Sequence, residues 1–171
     1  MLASRKVRQR PPGSVPDTLP DSLHPVIRRI LLARQITDEA SLDLRLGRLQ
    51  PPSSLSGIGE AAEILAQAVV SGQQILIVGD FDADGATSSA LMLLALRAMG
   101  FKSVDFLVPN RFDYGYGLTP EIVDLAAEKS PNLIVTVDNG ISSVDGVARA
   151  NHLGIDVIVT DHHLPGAVLP A

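Results

Sequence analysis

The chain has no cysteine and no tryptophan, and its 171 residues include only four phenylalanines and two tyrosines. Without cysteine there are no disulfides and no thiolate metal sites. Any metal must take oxygen and imidazole ligands, which favours hard or borderline divalent ions. An aromatic content of 4% offers little for stacking nucleobases. No apolar run reaches the roughly 18 to 20 residues that span a bilayer. The start MLASRKVRQRPPG lacks the apolar core of a secretory signal. A cytoplasmic protein without membrane contact is expected. What is present is a globular composition, 46% hydrophobic and 19% charged, of a length that suits one domain with a short appendage.

Charge is unevenly divided. Up to Gln50 the sequence holds nine Lys and Arg against five acids, and beyond it five against fourteen. A basic arm beside an acidic body suits contact with a polyanion near a metal site, where cations offset the acidic cluster. The plainer reading is a solvated basic terminus.

Pro11, Pro12, Pro16, Pro20 and Pro25 argue against regular structure at the start, and a flexible basic lead is expected over 1–24. A helical segment follows over 25–57, with one helix opening at Pro25 and a second at Thr37, where TDEA offers an N-cap and first-turn acids. From 58 the pattern alternates helices with short β-branched runs. Helices are expected over 58–71, 86–100, 119–129 and 142–153, with QILIVG, SVDFLVP, NLIVTVD and DVIVTD as strands. This order predicts an α/β fold, a parallel sheet with helices on both faces. The unbroken apolar runs 75–78, 133–137 and 157–159 suit strands buried on both sides.

Ligands of such sheets collect beyond the carboxyl ends of the strands. The loops there read GDFDADG, NRFDYGYG, DNG and TDHH. They bring Asp80, Asp82, Asp84, Arg111, Asp138, Asp161, His162 and His163 to one edge.

Three chemistries compete for the aspartates. A calcium loop fits D-x-D-x-D-G, but its twelfth position is Leu91 rather than glutamate, and a helix opens where the loop should continue. A phosphatase with an aspartyl nucleophile fits Asp82-Ala83-Asp84-Gly85, but Thr87 comes one place late and the histidines have no purpose. A two-metal phosphoesterase uses them all. Such ions sit roughly 3.5 to 4 Å apart, share a water and stabilise attacking and leaving oxygens. Asp82 and Asp84, two apart after a strand, would point the same way. Asp138 could bridge the ions, and His162 could close one shell.

VGDFDADGAT, VPNRFDYGYGL, VTVDNGIS and VTDHH, in this order, resemble the DHH phosphoesterase superfamily, and within it the bacterial single-strand-specific 5′→3′ exonucleases. The resemblance covers residues 25–171. It implies Mn²⁺ or Mg²⁺, two per site, and release of 5′-mononucleotides from single-stranded DNA in recombination and repair. A single-strand-binding protein is an implied partner. By the same resemblance Asp82 and Asp138 hold one metal, and Asp84, Asp138 and His162 the other. His163 lies beside the scissile phosphate, and Asp161 orients a histidine rather than binding metal. Arg111, Tyr114, Gly115, Tyr116 and Gly117 are implied to meet the substrate. Many members carry a histidine four residues before Asp82; here Val78 stands there, so water or Asp80 would complete that shell.

The family has a further metal-binding aspartate and a second lobe downstream. The chain is therefore expected to be an amino-terminal part, inactive or nearly so alone. Each motif also has a plainer reading: DNG as a turn, DHH as a capped loop, YGYG as tyrosines packed on the sheet, Arg111 as a surface charge. Two functions remain beside the exonuclease: a phosphodiesterase of oligonucleotides or cyclic dinucleotides, and a catalytically silent nucleic-acid-binding scaffold.

Overall fold

The computed structural model describes Arg8 and residues 17–171, so most of the expected flexible lead lies outside the described residues. Two compact units emerge, one ending at Leu55 and one running from Ser56 to Ala171.

In the first unit, helix α1 (Pro25–Leu32) is opened by proline, and the His24 ring accepts from the Val26 amide at 3.3 Å. Thr18 bridges Asp38 in parallel fashion, and Arg28 ties back to Asp17 at 2.8 Å and Asp21 at 3.2 Å. The helix expected from Thr37 does not form; single 3-10 turns stand at Ala40–Leu42, Leu46–Arg48 and Pro52–Ser54. The reason is local. The Asp38 carboxylate accepts from the Ser41 amide at 2.8 Å and closes one turn. Beyond it Leu42, Leu44 and Leu46 alternate at period two, so no helical face exists to propagate the turn. The exposed Arg45 and Arg48 side chains reach Asp43 at 2.6 and 3.9 Å, so part of this unit's basic charge is paired within it.

The second unit contains α2 (Ile58–Val70), β1 (Ile75–Gly79), α3 (Ala83–Ala98), β2 (Val104–Leu107), α4 (Arg111–Tyr114), α5 (Pro120–Ala127), β3 (Leu133–Val137), α6 (Val144–His152) and β4 (Asp156–Thr160). The four strands are parallel in the order β2-β1-β3-β4. In strands buried on both faces, successive residues feed two cores. Ile75, Ile77, Leu133, Val135 and Val137 pack with Ala68 of α2 and Leu96 of α3. Leu76, Val78 and Ile134 pack with Ile122 and Val123 of α5 and Val147 and Ala150 of α6. This is the helix-on-both-faces sheet that the alternating pattern predicts.

Only β1 and β3 are buried throughout. Val157 and Val159, expected to be equally enclosed, are half-buried because β4 is an edge strand with one neighbour. Among the described residues no helix is long and apolar enough to cross a membrane.

Candidate metal centre

β1 leads out to β2 on one side, while β3 leads to β4 on the other. Between the carboxyl ends of β1 and β3 the connections therefore diverge, and a crevice opens at that switch point. The loops starting at Asp80 and Asp138 flank it.

α3 begins at Ala83, earlier than the sequence suggests, and Asp82 is its N-cap, its carboxylate accepting from the Gly85 amide at 3.1 Å. This changes the geometry of the D-x-D pair. Asp84 lies in the helical first turn, so two-residue spacing no longer places both carboxylates on one side. Gly85 is required by close approach rather than by a turn: a Cβ there would stand 2.3 Å from the Asp80 carbonyl oxygen. The helix start is pressed against the loop that carries the acids.

Asp138 has φ +63°, the left-handed region, which costs a residue other than glycine about 1–2 kcal/mol. The conformation is held from several directions. The Asp138 amide donates to the Thr160 carbonyl at 3.0 Å, extending the β3–β4 ladder. The buried Asn139 side chain donates to the carbonyls of Val78 at 3.1 Å and Val137 at 3.0 Å, joining the ends of the two central strands. Thr136 Oγ1 donates to the Asn139 carbonyl at 2.7 Å. DNG is thus a strand-to-strand lock, not a simple turn. Asn139 is not singled out by the sequence; its only signal is an amide two places after the end of the buried run LIVTV.

Ligand atoms of Asp80, Asp82 and Asp138 lie within 4.8 Å of one another, and so do those of Asp138, His162 and His163. Asp138 belongs to both groups. The His162 Nε2 is 2.9 Å from Asp138 Oδ1. Asp84, expected among the ligands, joins neither group, and Val78 is buried in the sheet. Burial pushes the Asp138 carboxyl above its ordinary range, with the Asp82 charge adding to the shift and His162 opposing it. The Gly85 amide holds Asp82 below that range, helped by Arg111. A buried carboxylate disfavoured as an anion, beside a second held as one, is a place short of positive charge. Carboxylates with imidazole are also the donors that hard or borderline divalent ions take, so the residues present fit such an ion.

Asp80 has a different role open to it. One oxygen accepts from the Phe81 amide at 2.7 Å and the other from Arg111 Nη2 at 2.5 Å, so both are engaged. The same guanidinium nitrogen is 3.7 Å from Asp82, and the guanidinium carbon lies 5.4 Å from the Tyr116 ring centroid. Arg111 is accordingly a fixed charge at the crevice, not a loose surface one.

Asp161 is almost fully enclosed and accepts from the Ile141 amide at 2.9 Å, the His163 amide at 3.0 Å and His163 Nδ1 at 2.7 Å. Burial opposes its charge, but these donors outweigh burial and hold its carboxyl low. The Asp161 hydrogen bond in turn raises His163 above the usual histidine range. The Tyr116 hydroxyl stands 3.0 Å from His163 Nδ1, and burial, with the charges of Asp161, Asp80 and Asp138, pushes it up to about 12. Tyr114 instead packs under the sheet with the α5 and α6 core. Gly115, between the two tyrosines, and Gly117, just after them, take positive φ, +79° and +80°.

A family model described as DHH family, N-terminal domain, matches residues 74–171. The single-stranded-DNA-specific exonuclease RecJ of Escherichia coli (strain K12) is 54% identical over 153 residues, 90% of this chain and 26% of that protein. Its counterpart from Salmonella typhimurium (strain LT2) is 51% identical over 170 residues, 99% of this chain and 29% of that protein. A crystal structure of exonuclease RecJ bound to manganese superposes with a TM-score of 0.63 at 39% identity, covering 68% of this chain and 30% of that one. The chain therefore spans about a quarter of the length of the curated relatives it matches.

Proposed function

The chain belongs to the DHH family, and from that premise we propose that it contributes a metal-dependent phosphodiesterase site acting on single-stranded DNA as a 5′→3′ exonuclease. The observation that carries the reading is the sharing of Asp138 by two ligand groups at the switch point of the sheet. The relatives named above are single-strand-specific exonucleases, which favours a DNA strand over a cyclic dinucleotide or an inert scaffold.

In this reading Asp82, Asp138 and His162 hold divalent cations, manganese or magnesium. Asp84 is retained as a ligand by family resemblance alone. The ions supply charge neutralisation and water activation for in-line displacement at phosphorus. The chain's own residues do the rest. Asp138 is held in its strained conformation by Asn139 and the β4 ladder, so that its carboxylate faces both groups. His163, kept protonated to higher pH by Asp161, donates a hydrogen bond to the non-bridging oxygen on which charge develops. Arg111, fixed by Asp80, binds the phosphate next to the one attacked. Water adds to phosphorus, the bond to the 3′ oxygen of the terminal nucleotide breaks, and that oxygen takes a proton. The implied partner, a single-strand-binding protein, belongs to the same proposal and is tested by co-sedimentation with the chain.

The test is anomalous scattering at the manganese edge together with digestion of a 5′-labelled single strand. Two peaks between residues 82, 138 and 162 are expected. A single site remote from Asp138, or cleavage unaffected by chelation, refutes the reading.

A further inference from the structure

The aromatic side chains are few, yet two of the four phenylalanines stand together at the rim of the crevice. Phe81 is 55% exposed and Phe112 89% exposed, and their rings meet edge to face with centroids 6.5 Å apart. Neither contributes to the two cores. Each is embedded in ionic sequence: Phe81 lies between Asp80 and Asp82, and Phe112 follows Arg111 directly. The loops that carry them are joined by the Asp80–Arg111 pair, which holds the rings in register.

An apolar protein surface docking on these rings would also take the charges of Asp82 and Arg111 out of water, which is costly even for paired groups. A nucleotide has the complementary make-up. Its base offers a flat π-face to the rings while its phosphate meets the guanidinium beside them. Base-on-aromatic stacking tolerates any sequence because every base has such a face.

We propose that Phe81 and Phe112 form a stacking platform for a nucleobase of the bound strand, adjoining the phosphate position at Arg111. The inference deepens the nucleic-acid reading above and rests on it. It runs against the expectation that so low an aromatic content offers little for stacking: what matters is that two of the scarce rings lie beside the site.

The experiment uses the chain itself and two phosphorothioate strands that resist hydrolysis, a 5′-phosphorylated oligothymidylate and an abasic oligomer of equal length. Since the chain has no tryptophan, Phe112→Trp supplies a single indole that can be excited apart from the two tyrosines. Its emission is expected to be quenched by the oligothymidylate and not by the abasic strand. Phe81→Ala and Phe112→Ala should each weaken oligothymidylate binding roughly tenfold and leave abasic binding unchanged. Both positions are exposed, and circular dichroism checks that the variants fold. Unchanged affinity for both strands overturns the platform while leaving the nucleic-acid reading intact, and so does an equal loss on both. Dimerisation of the unsubstituted chain in analytical ultracentrifugation that Phe81→Ala abolishes, with no change in strand affinity, assigns the rings to a protein contact and overturns it too. If the unsubstituted chain binds neither strand, the nucleic-acid reading itself fails and takes the platform with it.

Discussion

Asn139→Ala tests whether the lock between β1 and β3 sets the geometry of the crevice. The side chain is almost fully buried, and its amide nitrogen donates to Val78 and Val137, one carbonyl from each central strand. Removing it deletes two buried hydrogen bonds, each worth about 1 kcal/mol net, and leaves two carbonyls under-satisfied in a place that water does not reach. The combined cost is about 2–4 kcal/mol. With a urea slope of about 2 kcal/mol per molar, the midpoint of the cooperative transition should fall by about 1–2 M. Far-UV circular dichroism against urea measures it. Asn139→Asp sharpens the test by keeping the shape and replacing the donor with an acceptor. Two carbonyls then face a carboxylate, so this variant should be less stable than alanine. Burial raises such a carboxyl, and an acid with a raised folded value loses stability as pH rises through its titration range. The penalty should therefore grow from acid toward neutral pH. A shift of less than about 1 kcal/mol for alanine, or an aspartate variant as stable as the native chain, would refute the lock.

Four further outcomes follow from the geometry. Manganese should raise the melting temperature of the chain, by an amount equivalent to about 2.7 kcal/mol at one hundred times the dissociation constant, and EDTA should reverse it; Asp138→Ala should abolish the effect in differential scanning calorimetry. Asp82→Ala and His162→Ala should each weaken manganese binding at least tenfold by calorimetric titration without unfolding the domain, whereas Asp80→Asn should spare it. In the metal-free chain the His163 imidazole should titrate above the ordinary histidine range by proton NMR, and Asp161→Asn should return it there. Because that folded value is raised, the pair's contribution is complete below about pH 6.5 and disappears as pH rises through the raised value. Gly85→Ala should destabilise by about 1–3 kcal/mol in thermal melts, since its Cβ would meet the Asp80 backbone at 2.3 Å; a neutral substitution would show that α3 can slide away from the loop.

The sequence disclosed the sheet and the edge on which its chemistry collects, because both follow from patterns that repeat. Unbroken apolar runs marked β1 and β3, and the polar residues closing each run lie at the carboxyl ends of the strands, where four loops converge. Strand order is not legible in the sequence: nothing in DVIVTD says that β4 is an edge, and its valines, apolar without alternation, are half-exposed there. The unformed helix after Thr37 failed for a related reason. A capping signal reports only that a turn can start, and continuation needs a periodic face that SLDLRL does not have.

Within the site, the residues whose roles shifted are those defined by a partner far away in sequence. Spacing alone made Asp80, Asp82 and Asp84 equivalent. The fold separates them: Asp80 is engaged by Arg111 from the next loop, Asp82 caps α3 while facing Asp138, and Asp84 lies in the first turn of α3 and joins neither ligand group. The same holds for the tyrosines of YGYG, which flank the positive-φ Gly115: one ring packs on the α5 and α6 core and the other meets His163. Such divergence has a common physical origin. At a switch point two strands end side by side and their continuations part, so side chains adjacent in sequence are sorted by which neighbouring strand supplies their counter-charge. Among the described residues Asp138 alone belongs to both ligand groups, and it does so in a backbone conformation its residue type disfavours. The strain is placed where a single carboxylate must serve two groups, and it is held by Asn139, whose own side chain faces away from the ligands into the buried ends of β1 and β3.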